Sequence, residues 1–418
     1  MNKINIEAVL NQVEKRYPGL RETAHLILSS VTTLFLKRQH PLVIILVGAP
    51  SSGKTSLLSA LIRSREGGWL KNNTLRLDEF TPASLVSHAA NMSEERLKNI
   101  DLLPRMKNKN VIVKEMAPLF SGNEEILQKK FSTLTSILDG EGYITSSGTH
   151  GLRGYDEPTV FTLLGAVATP ALTAKTMKTL SAIGPRMCFW QMPERHIDHA
   201  TWSGLVNPKI EDDELLLREM ISDYFDHLAE LFEIGSVEIS HFIVSPPIQK
   251  LLDSCAILMA QGRSIISSEK EGTETLDEIY TESPERAFRY VQQISYGAAL
   301  ADMGRMTLNE NDVRLAAMVA ISSAGTRLRK IIRIFFDFNE PLTAAHIHGY
   351  SGQSDDSDRR RLDELVRLRV IEQVSESGSK QWDLVPHLRA LRSSINKVPP
   401  NKCLEHTHPM DFADNHLF

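Results

Sequence analysis

Short apolar runs recur along the first half of the chain, separated by stretches in which apolar residues follow helical spacing. Between about residues 41 and 193, continuous runs such as 42–47 (LVIILV) alternate with these helical segments. Runs of this length are typical of strands buried on both faces, and intervening helices allow neighbouring strands to run parallel. The pattern therefore predicts an α/β fold with a mainly parallel sheet and helices on its faces.

The pattern changes on either side of this region. The first 38 residues have helical spacing, and residues from about 195 to 335 are almost wholly helical in pattern. Residues 327–386 then predict three helices followed by a two-stranded wing that turns at Ser377-Gly378, which is a winged-helix pattern. These changes predict five regions: an N-terminal helical segment (1–38), an α/β core (39–194), a helical region (195–326), a winged helix (327–390) and a poorly ordered tail (391–418).

Composition narrows the class of protein. The chain has 418 residues, 42% of them hydrophobic and 24% charged, which is typical of a globular protein with more than one domain. No apolar stretch reaches the roughly 18–20 residues of a membrane span, and the N-terminus lacks a secretory pattern. Three scattered cysteines favour a reducing compartment, so we expect a cytoplasmic protein without a disulfide framework. The formal net charge of −5 excludes a uniformly basic coat but permits local basic patches.

One motif predicts a phosphate-binding site. The run Gly48-Ala49-Pro50-Ser51-Ser52-Gly53-Lys54-Thr55 is a complete G-x-x-x-x-G-K-[ST] phosphate loop between a predicted strand and a predicted helix that begins near Ser56. Its glycines let backbone N–H groups surround a phosphate, and the helix N-terminus adds a positive dipole end. Lys54 can reach the β- and γ-phosphates, and the Thr55 hydroxyl can bind Mg²⁺. The motif predicts that the chain binds a nucleoside triphosphate, with ATP and Mg²⁺ as the expected ligands.

Such a loop needs an acid on a neighbouring strand, and the sequence offers two candidates. The favoured one is Glu115, the last residue of the strand-like segment 110–115, which could bind Mg²⁺ or orient the attacking water. The alternative is the pair Asp78 and Glu79, which lies closer to the loop in sequence than the strand of such an acid usually does. Because Lys114 stands where a second acid is common, the division of Glu115 between metal and water stays open.

Two further elements follow Glu115. Residues 144–155 are glycine-rich and flanked by strand-like residues, which predicts a hairpin. A strand over 160–167 then leads to Thr169 before Pro170; Thr169 either touches the γ-phosphate or simply ends the strand.

In this order, the motifs resemble those of AAA+ ATPases, and most of all the branch of the minichromosome maintenance (MCM) replicative helicases and related ATPases of phages and integrative elements. The resemblance covers roughly residues 40–386. It implies an AAA+ P-loop NTPase core with a helical lid and a C-terminal winged-helix domain, with Glu115 on the Walker B strand and Thr169 as sensor 1. It also implies an arginine finger at Arg186 and a sensor-2 arginine at Arg286, with Arg289 as the alternative.

The resemblance also implies an assembly. An arginine finger acts on the nucleotide of a neighbouring subunit, so Arg186 implies a homo-oligomeric ring, most simply a hexamer. If Arg186 is instead a surface residue after a Gly-Pro turn, no ring is required.

Candidate nucleic-acid contacts occur in two places. In the hairpin they are His150 and Arg153, because arginine pairs with phosphate oxygens; the alternative is a solvated loop with no ligand. In the third helix of the winged helix they are Arg359-Arg360-Arg361, although neighbouring acids weaken a pure phosphate-binding interpretation. DNA is therefore the expected partner. A protein-remodelling ATPase with a protein partner, or a nucleotide-dependent switch with little turnover, remain the alternatives.

A resident metal site built from histidine and cysteine is not expected. His346 and His348 are two residues apart, and Cys403, His406 and His408 lack a second ligand pair at zinc spacing.

Overall fold

The structure is a computed structural model. It describes residues 4–79, 81–87, 92–147, 151–173, 176–177, 179–180, 184, 186–194, 210–271, 274–375 and 379–397. Within these ranges no helix is long and apolar enough to cross a membrane.

A five-stranded parallel sheet forms the centre of the fold, which confirms the predicted α/β class. Its strands are β1 (Leu42–Gly48), β2 (Thr74–Leu77), β3 (Asn110–Val113), β6 (Thr162–Ala168) and β7 (Cys188–Gln191). Their spatial order is β2-β3-β6-β1-β7, so β1 lies between β6 and β7. The register runs from Leu42 opposite Thr162 to Gly48 opposite Ala168. Because all five strands are parallel, the ends of β1, β3 and β6 meet at one edge of the sheet, and the starts of β1 and β7 lie at the other.

Helices cover both faces of the sheet, as its continuous apolar strands require. Leu42, Ile44 and Leu46 face a large core shared with the N-terminal and helical regions, whereas Val43 and Ile45 face a second core. The helices that precede or lie within the α/β core are α1 (Ile6–Arg16), α2 (Arg21–Thr32), α3 (Lys54–Ile62), α4 (Trp69–Asn72), α5 (Glu94–Ile100), α6 (Leu102–Met106), α7 (Ala117–Phe120) and α8 (Glu124–Leu138). Between α8 and β6 lies the predicted hairpin, formed by β4 (Tyr143–Ser147) and β5 (Gly151–Tyr155).

The helical region is less uniform than its pattern predicts. It contains α9 (Ile210–Leu231), α10 (Pro246–Arg263), α11 (Pro284–Ala301) and α12 (Glu310–Ser323), but a hairpin of β8 (Ile265–Glu271) and β9 (Glu274–Tyr280) separates α10 from α11. The expectation of helices alone was therefore wrong for this stretch. Helix α12 covers the edge strand β7: the Ser322 hydroxyl accepts from the backbone N–H of Gln191 at 2.8 Å, and the Ser323 hydroxyl accepts from that of Phe189 at 2.9 Å.

The N-terminal helices belong to the same packed body. The Thr32 hydroxyl donates to the carbonyl of Gly297 in α11 at 2.7 Å. A Cβ at Gly297 would lie 2.3 Å from the carbonyl oxygen of Ser29, so only glycine permits this close approach of α2 and α11. The indole N–H of Trp190 donates to Thr23 at 2.9 Å, which ties α2 to β7 as well.

The C-terminal unit combines helices with a three-stranded antiparallel sheet. Its elements are α13 (Thr326–Asp337), β10 (Leu342–Thr343), α14 (Ala344–Ser351), α15 (Asp355–Arg367), β11 (Ile371–Gln373), β12 (Gln381–Leu384) and α16 (Pro386–Lys397). Helix α16 corrects the predicted start of the tail, because residues 391–397 continue the helix and bury Leu391 and Arg392. The rest of the predicted tail, and the predicted turn at Ser377-Gly378, lie outside the described residues.

Candidate nucleotide site and its arginines

The phosphate loop connects the end of β1 to the start of α3. Ser51 and Gly53 both have positive φ, 62° and 92°, and this left-handed backbone turns the loop back on itself. The N-cap residue of α3 is Gly53, and no side chain caps the helix. The first N–H groups of α3 have no partner within the helix, so they are suited to an anion.

Lys54 lies inside this loop. Its ammonium donates to the carbonyl oxygens of Gly48 at 2.9 Å and Ala49 at 2.7 Å, and to the Ser52 hydroxyl at 3.1 Å. The residue is only 8% exposed. Burial lowers the pKa of Lys54, and the charge of Glu115 opposes that shift. Lys54 is therefore held by weak neutral acceptors at the place where phosphate oxygens would bind it more strongly.

Glu115 and Thr169 lie at the same edge as the loop. Glu115 is exposed after β3, and its carboxylate accepts from the backbone N–H of Ala117 at 2.8 Å. Thr169 is exposed directly after β6, the strand between β1 and β3. Asp78 follows the outermost strand β2, and Arg76 donates to it at 2.6 and 2.9 Å. This arrangement favours Glu115 over the alternative pair.

Oxygen ligands for Mg²⁺ are available at this edge. The Thr55 hydroxyl and the Glu115 carboxylate are hard oxygen donors, which Mg²⁺ prefers, and both residues are exposed. Among the described residues, no group of three or more His, Cys, Asp or Glu side chains could hold a metal ion alone.

Arg329 at the start of α13 is a residue that the sequence did not single out. It lines a small cavity together with Val47, the residue before the loop, and Thr169. Its guanidinium donates weakly to the carbonyl of Ser322 at 3.4 Å, and burial lowers its pKa. Arg327, Lys330 and Arg333 surround it in sequence, so no local motif could distinguish it from its neighbours.

Arg186 lies at the opposite edge of the sheet. It precedes β7, and because β1 has seven residues, the two edges are separated by roughly 20 Å. The Arg186 guanidinium donates through Nε and Nη2 to one oxygen of Asp139, at 2.9 and 2.6 Å, and through Nη1 to the carbonyl of Gly184 at 2.7 Å. Its side chain is 10% exposed.

Arg286, the expected sensor-2 arginine, lies beside Arg186 and not beside the phosphate loop of its own chain. Its Nε is 3.9 Å from the other oxygen of Asp139. The alternative, Arg289, lies near His40, just before β1; burial lowers the pKa of that histidine, and the charge of Arg289 lowers it further. Both arginines are at the first turns of α11, and this end of α11 lies beside the strand starts rather than the phosphate loop.

The hairpin does not present Arg153 to a ligand. Arg153 is 7% exposed and donates to the buried carboxylate of Asp101 at 2.8 Å and to the carbonyl of Ser87. Tyr155 donates to the same carboxylate at 2.8 Å. The structure therefore does not support the expected contact of Arg153 with nucleic acid. His150 lies outside the described residues.

In the C-terminal unit, the three consecutive arginines have different surroundings. Arg359 pairs with Asp355 at 2.9 Å, Arg361 pairs with Glu364, and Arg360 is exposed. Only Arg359 and Arg360 are therefore presented outward, and Arg361 is largely covered, with its side chain 20% exposed.

The histidine and cysteine side chains that are described have structural surroundings. His346 takes part in the N-terminal cap of α14 with Thr343, and His348 lies 3.4 Å from Asp358. Cys188 and Cys255 are free and buried, and burial raises the pKa of both thiols. Cys403, His406 and His408 lie outside the described residues.

Comparison with known proteins gives remote similarity only. No protein-family model matches the sequence, and no curated protein matches it significantly. Among solved structures, the chain is similar to the ORC2 protein of Aeropyrum pernix in its ADP form, with 14% identity, coverage of 91% of this chain and 93% of that chain, and a TM-score of 0.28. It is also similar to Cdc6p from Pyrobaculum aerophilum, with 12% identity, coverage of 92% and 95%, and a TM-score of 0.25. At these TM-scores the similarity adds nothing to what the strand order and the side chains indicate.

Proposed function

We propose that this chain is an ATP hydrolase of the AAA+ type whose nucleotide site is completed by a second copy of the chain. One observation carries the proposal: the phosphate loop, Glu115 and Thr169 share one edge of the parallel sheet, while Arg186 lies at the other. A single chain thus offers an incomplete site for phosphoryl transfer, together with an arginine that can complete the site of a neighbour.

Within one protomer, each group has a separate task. Lys54 leaves its carbonyl partners to bind the β- and γ-phosphates, while the loop N–H groups surround the phosphate. Mg²⁺, when bound, neutralises charge on the triphosphate oxygens; Thr55 and Glu115 would hold it. Glu115 also orients the attacking water, Thr169 donates a hydrogen bond towards the γ-phosphate, and Arg329 adds positive charge at the same edge.

Between protomers, Arg186 stabilises the charge that develops on the transferred phosphoryl group of the neighbour. We assign Arg286 to the same task, because it lies beside Arg186 and far from its own phosphate loop. Head-to-tail contacts of this kind form a ring when the rotation between neighbours closes. The resemblance to MCM-like ATPases suggests a hexamer.

DNA is the substrate we propose for the motor. The helices and the three-stranded antiparallel sheet of the C-terminal unit support a winged-helix interpretation, and its third helix, α15, directs Arg359 and Arg360 to solvent. Winged helices and their relatives bind DNA through such a helix. In this interpretation the chain couples ATP hydrolysis to translocation on DNA or to its remodelling.

The hairpin favours a second candidate function, remodelling of a protein partner. The only arginine or lysine in residues 143–155 is Arg153, which is buried. The exposed face of the hairpin instead carries Ile144 and Leu152, which are 51% and 76% exposed. A surface that binds a phosphate backbone needs cations, whereas an apolar face suits a polypeptide.

Stimulation of ATP hydrolysis separates the two candidates. The rate is measured for the full chain alone, with single-stranded DNA, with double-stranded DNA and with an unfolded polypeptide such as casein. DNA stimulation that is weakened by Arg359→Ala combined with Arg360→Ala, but not by Lys129→Ala on the exposed face of α8, supports the DNA motor. A rate that responds to casein alone supports the second candidate, and the absence of hydrolysis by the wild type contradicts both.

A further inference from the structure

We propose that Asp139 holds Arg186 and Arg286 in a retracted position, as an internal substitute for the phosphate of a neighbouring protomer's nucleotide. The inference rests on the proposed function, since it needs a neighbour whose nucleotide can replace Asp139. It adds a regulatory residue to that function: the carboxylate competes with the ligand that the two arginines would bind.

The contacts around Asp139 resemble those of a bound anion. One carboxylate oxygen accepts from both Nε and Nη2 of Arg186, and the other faces Nε of Arg286. Gly184 lies between the two guanidinium groups: a Cβ added there would be 2.6 Å from Nη1 of Arg286 and 3.2 Å from Nη1 of Arg186. Two arginines thus converge on one acid, which is how guanidinium groups bind a phosphate.

A second acid nearby is already paired. Glu282 lies 3.3 Å from Arg263, and both side chains are 2% exposed. Arg263 also donates to the carbonyl of Met187, which fixes this pair to the start of β7. Among the described residues, Asp139 is the acid that lies within 4 Å of both guanidinium groups, whereas Glu282 feels the charges of Arg286 and Arg186 from further away. Removing the charge of Asp139 therefore increases the net positive charge that the two arginines present to an external anion.

An aspartate at position 139 does not stabilise its own helix, α8. It is the C-cap residue of α8, with its backbone N–H bonded to the last turn. The C-terminal end of a helix carries partial negative charge, which disfavours a carboxylate. The pairing with Arg186 and Arg286 compensates for this repulsion, so the contact, rather than helix capping, accounts for an aspartate at this position.

Release follows from the geometry. The Arg186 side chain is 10% exposed, so it must leave Asp139 before it can reach another protomer. A nucleotide phosphate carries more negative charge than a carboxylate and offers more acceptor oxygens, so it can replace Asp139 as the partner of the two arginines. This exchange requires a neighbour that has bound its nucleotide. Until then, Asp139 keeps the two arginines of a protomer away from the nucleotide site of its neighbour.

The test uses Asp139→Asn, which keeps the shape and removes the charge. ATP hydrolysis per protomer is measured against protein concentration, and self-association with ATPγS and Mg²⁺ is followed by sedimentation. We expect the variant to reach half of its maximal rate, and to associate, at about fivefold lower protein concentration, as the loss of one partly covered ion pair predicts. Glu141→Gln, which removes an exposed carboxylate from the same turn, should leave both curves unchanged.

The double variant Asp139→Asn/Arg186→Ala should lose the gain, since the proposed effect acts through Arg186. Unchanged or rightward-shifted curves for Asp139→Asn, with an unaltered melting temperature, would overturn the inference. If Asp139→Asn melts earlier, Asp139→Glu should restore the melting temperature and the wild-type curves; a Glu variant that stays shifted also contradicts the proposal. If the wild type hydrolyses no ATP, the proposed function fails, and the association curves still decide whether Asp139 restrains assembly.

Discussion

The two edges of the central sheet differ in how they hold their arginines and lysine, and in the proposed function they form complementary halves of one site. At the edge where β1, β3 and β6 end, Lys54 and Arg329 have neutral acceptors as their hydrogen-bond partners. At the edge where β1 and β7 begin, Arg186 is bound to a carboxylate and covered. The first edge is ready for an anion, whereas the second must first give up its own. Under the proposed function, this difference places the restraint on assembly rather than on nucleotide binding.

This difference can be tested most strongly at Arg186. We expect Arg186→Ala to lower kcat at least about 1000-fold, because an arginine supplied in trans accounts for about 10³–10⁵ of the rate in related chemistry. ATP binding, measured by titration calorimetry, should stay within about twofold, since Arg186 lies roughly 20 Å from its own loop. Loss of ATP binding by the isolated protomer would break the division between the edges.

The next largest effect concerns the choice of acid at the first edge. Glu115→Gln should lower kcat about 100- to 1000-fold, as expected for a group that orients the attacking water. Asp78→Asn serves as the matched control and should retain at least half of the wild-type rate, because Asp78 follows the outermost strand. A reversed order of the two variants in a steady-state ATPase assay would move the catalytic acid to β2.

Arg153 is a second buried arginine paired with an acid, and we expect it to affect stability rather than activity, in contrast to Arg186. Arg153 is paired with Asp101 as Arg186 is with Asp139, but both partners are buried, with side-chain exposures of 5% and 0%. Removing one partner of a buried pair costs about 3–5 kcal/mol, so Arg153→Met should lower the free energy of unfolding by about 3 kcal/mol. Denaturant unfolding measures this. DNA binding by the folded variant should be unchanged, and a selective loss of DNA affinity would restore Arg153 as a contact.

The smallest effect is expected at Arg329. Arg329→Gln should lower kcat/KM for ATP about tenfold, because one charge at the phosphate edge is lost while the hydrogen-bonding side chain stays. Arg327→Gln is the matched control on the same turn of α13 and should have less than a twofold effect. Equal effects of the two variants would mean that bulk positive charge, not the position of Arg329 beside Thr169, matters.

Local sequence patterns were sufficient to predict much of the edge with the phosphate loop, but little of the edge with Arg186. The phosphate loop and the strand before Glu115 are continuous in sequence, so local pattern predicts both and the parallel sheet, although it leaves Asp78 and Glu79 as an alternative to Glu115. Arg153 is buried because it meets Asp101, 52 residues away, and no local pattern encodes that contact. The edge at which Arg286 lies depends on how α11 packs against α2, which is again a tertiary property. Arg329 carries no motif, and the alternation in 265–280 was obscured by its many polar residues.

Mixing two inactive variants tests the central claim most directly. Lys54→Ala cannot use its own phosphate loop but keeps Arg186, while Arg186→Ala keeps its loop and Arg329. If the site is shared between protomers, an equimolar mixture should recover about a quarter of the wild-type ATPase rate, whereas Lys54→Ala mixed with Arg329→Gln should do no better than the Arg329→Gln sites alone. A mixture of Lys54→Ala and Arg186→Ala that remains inactive, although sedimentation shows mixed assemblies, would contradict an arginine that acts in trans.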